Sequence, residues 1–296
     1  MKKLALFLVL TASILWGSMG IVTRYVASFG FTTPQTAAVR ICSAGAVLVL
    51  LVFLTDRKKF KVEKQDVKWL LGTGLGSLFI NNLTYAETVQ RASLSVAVVL
   101  LYTAPFFVMI FSVVFFHEKL TFLKIGALLL SFAGCILVVG LSGEQARAVG
   151  AGTVAIGLCA GFGYSLYSIF GKVLAGKYES LTVTVYTFLI AAAATLAISD
   201  PADLARKVGE NLHALPLIVV GSFVTLGLPY FCYSMALKYM ESSKASIIAS
   251  FEVVAASLFG VVLYGEPLNG YNLLGILLVV SALILLQVAP EKKMRK

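Results

Sequence analysis

The chain has 296 residues, of which 59% are hydrophobic and only 13% charged, and a mean hydropathy of +0.93; these values exclude a soluble domain wrapped in a polar shell. A net charge of +10 does not mark a nucleic-acid binder, because the basic residues sit between apolar runs and not on one patch. What remains is a polytopic membrane protein whose surroundings are the lipid bilayer.

Apolar length and polar breaks predict ten spans, over residues 4–23, 34–54, 67–88, 93–116, 122–141, 151–172, 181–199, 214–237, 244–264 and 270–288. A Lys-Lys start before an apolar run raises a cleaved signal peptide, but there is no A-x-A site and the run continues past Trp16 to Val22. The segment is therefore read as the first span. In the second span, Arg40 lies six residues past Pro34, roughly 9 Å along the helix, and is expected to snorkel to the outer surface, the alternative being a pair with a substrate carboxylate or with Glu252. The third span carries Asn82 and Tyr85 on one face, with Asn81 beside them as a helix contact and Glu87 and Arg91 as an i, i+4 surface pair. Pro105 and Pro229 each remove a backbone donor and predict kinks in spans four and eight, and Pro216 suits a first helical turn. Glu118 and Glu266 close spans four and nine, where they are expected to cap a helix contact. The four cysteines, all in apolar runs and none at metal-ligand spacing, are expected to be reduced and packed.

Glu252 is the residue around which the ninth span is built. It stands eight residues after Lys244 and fourteen before Glu266, roughly 12 Å and 21 Å at helical rise, deep in a span made for a hydrocarbon core about 30 Å thick. A carboxylate there marks an ion, proton or substrate path, or else is held by a neighbouring helix. Ala245, Ala249, Ala256 and Gly260 share its face and leave room beside it.

Orientation follows from the loops. With the N-terminus inside, eighteen of the 24 Lys and Arg residues fall on the inner side and five on the outer, so both termini are predicted to be cytoplasmic, in the cell membrane. A shift of 148 residues lays Tyr85–Leu120 on Tyr233–Leu268 without a gap, with eight identities that include Tyr85/Tyr233, Ser95/Ser243 and Glu118/Glu266. The same shift lays Trp16 on Tyr164 and Arg24 on Lys172. Five spans per half is an odd number, so the second half is inverted relative to the first. The predicted fold is all-α, ten transmembrane helices as two inverted five-helix repeats, residues 1–145 and 146–296, the latter with a short basic tail. Inverted repeats are a recurring build of secondary transporters, with the substrate site near the midplane between the halves.

The repeat places further candidates. Asn82 and Tyr85 match Tyr230 and Tyr233; the four are read either as polar groups facing a substrate or as interhelical hydrogen bonds. Trp16, Tyr164 and Tyr167 offer aromatic walls that suit a ring-bearing substrate or an organic cation, or else plain packing. Leu-Trp-Gly-Ser at 15–18, Leu-Tyr-Thr-Ala-Pro at 101–105, His-Glu-Lys-Leu at 117–120, Phe-Glu-Val-Val-Ala at 251–255 and Gly-Glu-Pro-Leu at 265–268 resemble the two EamA repeats of the drug/metabolite transporter superfamily. That resemblance implies a central cavity lined mainly by spans one, three, four, six, eight and nine, and export of small metabolites, amino acids among them. Tyr102, inside one of these motifs, joins the candidate set. Val253 stands where the family often has Pro, which puts a kink at that point in doubt.

The reading is a secondary transporter working by alternating access on amino acids or organic cations. Glu252 serves in it as a protonatable coupling group or as the ligand of a substrate amine, with no cofactor. An importer or uniporter of the same fold, and a channel, stay open. An enzyme is disfavoured, since no H-E-x-x-H, nucleophile elbow or intramembrane acid/base pair is present. Substrate, coupling ion and oligomeric state are not encoded legibly.

Overall fold

Caps and prolines begin the helices where the polar breaks fall. In the computed structural model, which describes residues 1–288 apart from 142 and 145–148, ten long helices follow one another. They are α1 (Lys2–Ala27), α2 (Thr33–Thr55), α3 (67–91), α4 (Leu94–Phe116), α5 (Phe122–Val139), α6 (Ala151–Ala175), α7 (Ser180–Ile198), α8 (Leu212–Ala236), α9 (Ser242–Tyr264) and α10 (Gly270–Val288). No strand occurs among the described residues. Nine of these helices are long and apolar enough to cross a membrane; α3 matches them in length but carries Asn81, Asn82 and Glu87. Arg147 and the basic tail at Lys292, Lys293, Arg295 and Lys296 lie outside the described residues.

At the start of α2 the Thr32 hydroxyl accepts from the Gln35 amide at 3.4 Å and Gln35 Oε1 accepts from the Thr32 amide at 3.0 Å, a reciprocal cap completed by Pro34 in the first turn. Thr121 caps α5, and 148 residues later Asn269 and Asn272 exchange the equivalent bonds at the start of α10. Pro216 stands in the first turn of the α-helical part of α8.

The helices are interrupted at repeat-related places. A π-helical stretch occupies Gly72–Phe79 in α3 and Phe223–Gly227 in α8. α4 breaks after Leu101, just ahead of Pro105, and α9 breaks at Ser250. Because Tyr102 and Ser250 are 148 residues apart, the two breaks are one feature used twice. The proline missing at Val253 therefore does not keep α9 straight. α1 breaks at Ser18, whereas its counterpart α6 runs unbroken.

Small residues set the closest crossings. A Cβ on Gly134 of α5 would lie 2.7 Å from the Gly275 carbonyl oxygen of α10, and a Cβ on Gly275 would lie 2.7 Å from the Gly134 oxygen. Gly72 and Gly76 face Phe170 and Leu166 of α6, and Gly163 of α6 faces the α3 backbone at Gly76 and Asn81, so these glycines serve contacts within the bundle. The outward surface is apolar, with Phe7, Val114, Val262 and Leu277 all exposed, as a lipid-facing wall requires.

Two expectations, on Arg40 and on Cys159, are corrected. Arg40 does not snorkel: it is 6% exposed, because Thr23 of α1 and Thr225 of α8 offer hydroxyl acceptors at 2.7 and 3.4 Å that hold the guanidinium inside. Cys159 is not packed but exposed, although all four thiols are free. The loop after α7 holds an amphipathic helix, Pro201–Glu210, capped by Asp200 and laid on the bundle through buried Leu204.

Candidate functional site

α1, α6, α8 and α9 meet at the middle of the bundle, and glycine brings them close. A Cβ on Gly17 would lie 2.7 Å from Ala255 Cβ and 2.9 Å from the Glu252 carbonyl oxygen, so the Leu-Trp-Gly-Ser turn of α1 sits directly on the Glu252 turn of α9. Trp16, one residue earlier, is buried and points into the neighbouring space. Its indole lies 6.2 Å from the Tyr164 ring, 5.2 Å from Tyr230 and 5.5 Å from Tyr233, centroid to centroid. Tyr167 joins them edge-on to Tyr230 at 4.7 Å and 6.2 Å from Tyr233. Five of the nine candidates thus form one aromatic cluster, in the edge-to-face and tilted arrangements that ring quadrupoles favour.

The hydroxyls divide into two groups. Those of Tyr233 and Tyr167 are used between helices: Tyr233 meets Ser168 Oγ at 2.7 Å and Tyr167 donates to the Tyr230 carbonyl at 3.3 Å. The second group faces the carboxylate. Glu252 is half-buried, and Tyr102, Tyr85, Tyr164 and Tyr230 lie near enough for their hydroxyls to interact with its carboxyl group. Asn82 is not drawn into this group, since its amide donates to Leu78 one turn back at 2.6 Å. Its neighbour Asn81 donates to the Ala160 carbonyl of α6 at 3.0 Å, a helix contact as expected.

Two neighbours escaped the sequence reading. Phe188 of α7 packs edge-on to Tyr230 at 5.6 Å, and Cys135 of α5 sits close enough to feel the Glu252 charge. Nothing in the sequence points to them, because α5 and α7 are outer helices whose inward faces become visible only once packed. No group of three or more His, Cys, Asp or Glu that could hold a metal occurs among the described residues. The arrangement is one carboxyl group under a phenol-rich, aromatic wall, a combination of groups that can interact with a cation by charge, by hydrogen bonding and by ring faces.

An all-α membrane bundle of two inverted five-helix repeats around a central polar site belongs to the class of membrane transporters. The signature of the EamA-like transporter family matches residues 3–140 and 152–288, and the chain belongs to that family. It is 23% identical to the uncharacterized inner membrane transporter YicL of Salmonella typhimurium, over 97% of this chain and 96% of that one. It is 28% identical to an uncharacterized transporter of Archaeoglobus fulgidus, over 90% and 94% of the two chains. The threonine/homoserine exporter RhtA of Salmonella typhimurium is 25% identical over 84% of this chain and 80% of its own. A solved crystal structure shares the fold with a TM-score of 0.75 at 18% identity, covering 95% of this chain and 96% of its own.

Proposed function

We propose that this protein is a secondary transporter that exports small amine-bearing metabolites, amino acids or organic cations, across the cytoplasmic membrane by alternating access, with both termini in the cytoplasm. The observation that carries the reading is Glu252. It is the one Asp or Glu of the ten helices set away from the helix ends, and it stands among Tyr85, Tyr102, Tyr164 and Tyr230 and against the α1 break. A carboxylate at that depth holds either a proton or a cationic group, and trading one for the other couples substrate to a proton gradient. Trp16 and the tyrosines supply the wall against which the substrate body lies. The similarity to an exporter of threonine and homoserine supports the amino-acid class and the outward direction, and the excess of Lys and Arg on the face bearing Lys2 supports the orientation.

The test is flux in proteoliposomes of the full chain, offered threonine, homoserine and quaternary amines, with and without a pH gradient. Gradient-driven uptake by the wild type is expected for one of these classes, and Glu252→Gln is expected to lose at least about tenfold of it while keeping the fold. Wild-type flux that ignores the gradient, with Glu252→Gln equally active, would assign a uniporter and remove Glu252 from the mechanism.

A further inference from the structure

We infer that Glu118 and Glu266 are alternately engaged latches, each closing one face of the bundle by capping a helix of the other repeat. This rests on the alternating-access reading above. On the face bearing Lys2 and Val288 the latch is shut. Glu118, just past the end of α4, is 7% exposed and accepts hydrogen bonds at the first turn of α9: from the Ser242 amide at 2.8 Å, the Ser243 amide at 3.3 Å and the Ser243 hydroxyl. Around it, Lys124 is 1% exposed, lies 2.9 Å from Glu241 and 3.9 Å from Glu118, and donates to the Lys119 carbonyl at 3.0 Å. Lys172 of α6 donates to the carbonyls of Leu237 and Met240 at the end of α8. One repeat thus satisfies the open amides of the other, which is the reason a carboxylate at a helix start binds well.

The opposite face holds the central parts of this set, disengaged, with Asn272 and Ser93 standing at the positions that correspond to Lys124 and Glu241. The 148-residue shift lays Glu118 on Glu266, Ser95 on Ser243, Arg24 on Lys172 and His117 on Gly265. His117 and Gly265 both take left-handed backbone, with φ of 50° and 66°, and so present the glutamate that follows in the same way. Yet the Glu266 side chain is 55% exposed, lies against Gly260 of its own repeat and pairs with the 61% exposed Arg24 at 3.8 Å. Ser95 donates within its own repeat, to the Val139 carbonyl at 3.3 Å, and Arg24 lies over the Tyr264 ring at 4.5 Å. The packing of the second half of α4 on the first half of α9 has no counterpart of similar extent between Leu94–Leu101 and Phe251–Tyr264. Exchanging the conformations of the two repeats supplies it: Glu266 then caps α4 at Leu94 and Ser95, Arg24 reaches the carbonyls of Val89 and Ala92, and Glu118 lets go of α9.

The experiment uses the full chain in lipid nanodiscs, where both faces are reachable, with the four native cysteines replaced by serine. Two single-cysteine reporters related by the repeat, Ser246→Cys near the shut latch and Val98→Cys near the open one, are labelled with a soluble maleimide. Glu118→Gln is expected to raise the Ser246→Cys rate at least threefold and lower that of Val98→Cys; Glu266→Gln is expected to do the reverse. Glu118→Asp, which keeps the carboxylate, is expected to fall between wild type and Glu118→Gln. Shifts of both reporters in one direction, the mark of a loosened fold, or no shift at all, would overturn the latches. Labelling of both reporters in the otherwise wild-type chain would still leave alternating access standing in that case, and flux measured on the same preparation tests Glu252 separately.

Discussion

His117 is a non-glycine residue held at φ 50°, where its repeat partner Gly265 sits at φ 66° without penalty. A side chain in left-handed backbone costs about 1–2 kcal/mol, part of which glycine gives back through its freedom in the unfolded chain. His117→Gly is therefore expected to stabilise the protein by about 0.5–1 kcal/mol, and Gly265→His to destabilise it, read as opposite shifts in thermal unfolding in detergent. Outside the membrane, two carboxylates hold loops together. The Lys177 ammonium, donating at 2.9 Å, and the Tyr178 hydroxyl at 2.8 Å hold the Asp66 carboxyl below the usual value of 3.8. Gln35 first, then Lys207 and Arg206, do the same for Asp203. A lowered folded-state pKa gives stability that is complete above 3.8 and lost as pH falls below it. Unfolding midpoints are thus expected to be flat from neutral pH to about pH 5 and to fall below pH 4, with a shallower fall in Asp66→Asn and Asp203→Asn. Arg40 shows where residue-level reading stops: its acceptors lie 17 and 185 positions away in sequence, and a depth estimate along one helix cannot supply them.

At the scale of helices, apolar length and polar breaks together placed the ten, nine of them apolar enough to cross a membrane on that ground alone, because the bilayer fixes how many residues must be apolar. The interruptions were only partly legible. Pro105 announced the α4 break and Pro229 the irregularity of α8, whose π-helical stretch ends two residues before it, but α9 breaks at Ser250 with no proline near it, and the π-helical stretch of α3 carries no local sequence mark beyond glycine. Symmetry carries that information instead, since each irregularity has its repeat counterpart except the break at Ser18. The α5–α10 crossing gives the sharpest element-scale expectation. Gly134→Leu forces a side chain into the Gly275 backbone 2.7 Å away and should cost about 1–3 kcal/mol, while Gly140→Leu, whose Cβ meets nothing within 4 Å, should cost less despite its own left-handed backbone. Equal losses in thermal unfolding would mean that α5 and α10 part without consequence. Of the candidate site, the aromatic cluster and the proximity of Tyr102 to Glu252 involve residues singled out in sequence. Asn82 does not join them, because its half-buried amide donates to the Leu78 carbonyl one turn back and is satisfied within its own helix.

The whole molecule is less even than its repeat. One face is shut by buried charges and the other is not; Glu118, Ser243 and Lys172 have counterparts in Glu266, Ser95 and Arg24, while Lys124 and Glu241 correspond to Asn272 and Ser93, so the difference lies in both conformation and composition. α3 has a consequence of its own for how the chain is made. It is more polar than the nine helices apolar enough to cross a bilayer, and its Asn81 amide and its glycines Gly72 and Gly76 find their partners on α6, in the second repeat. Leaving the insertion machinery, α3 meets lipid before its partner has been synthesised. The first repeat therefore carries a weakly inserting segment whose hold on the membrane matures only when residues 151–175 arrive, and the order of synthesis leaves the two halves unequal from the start.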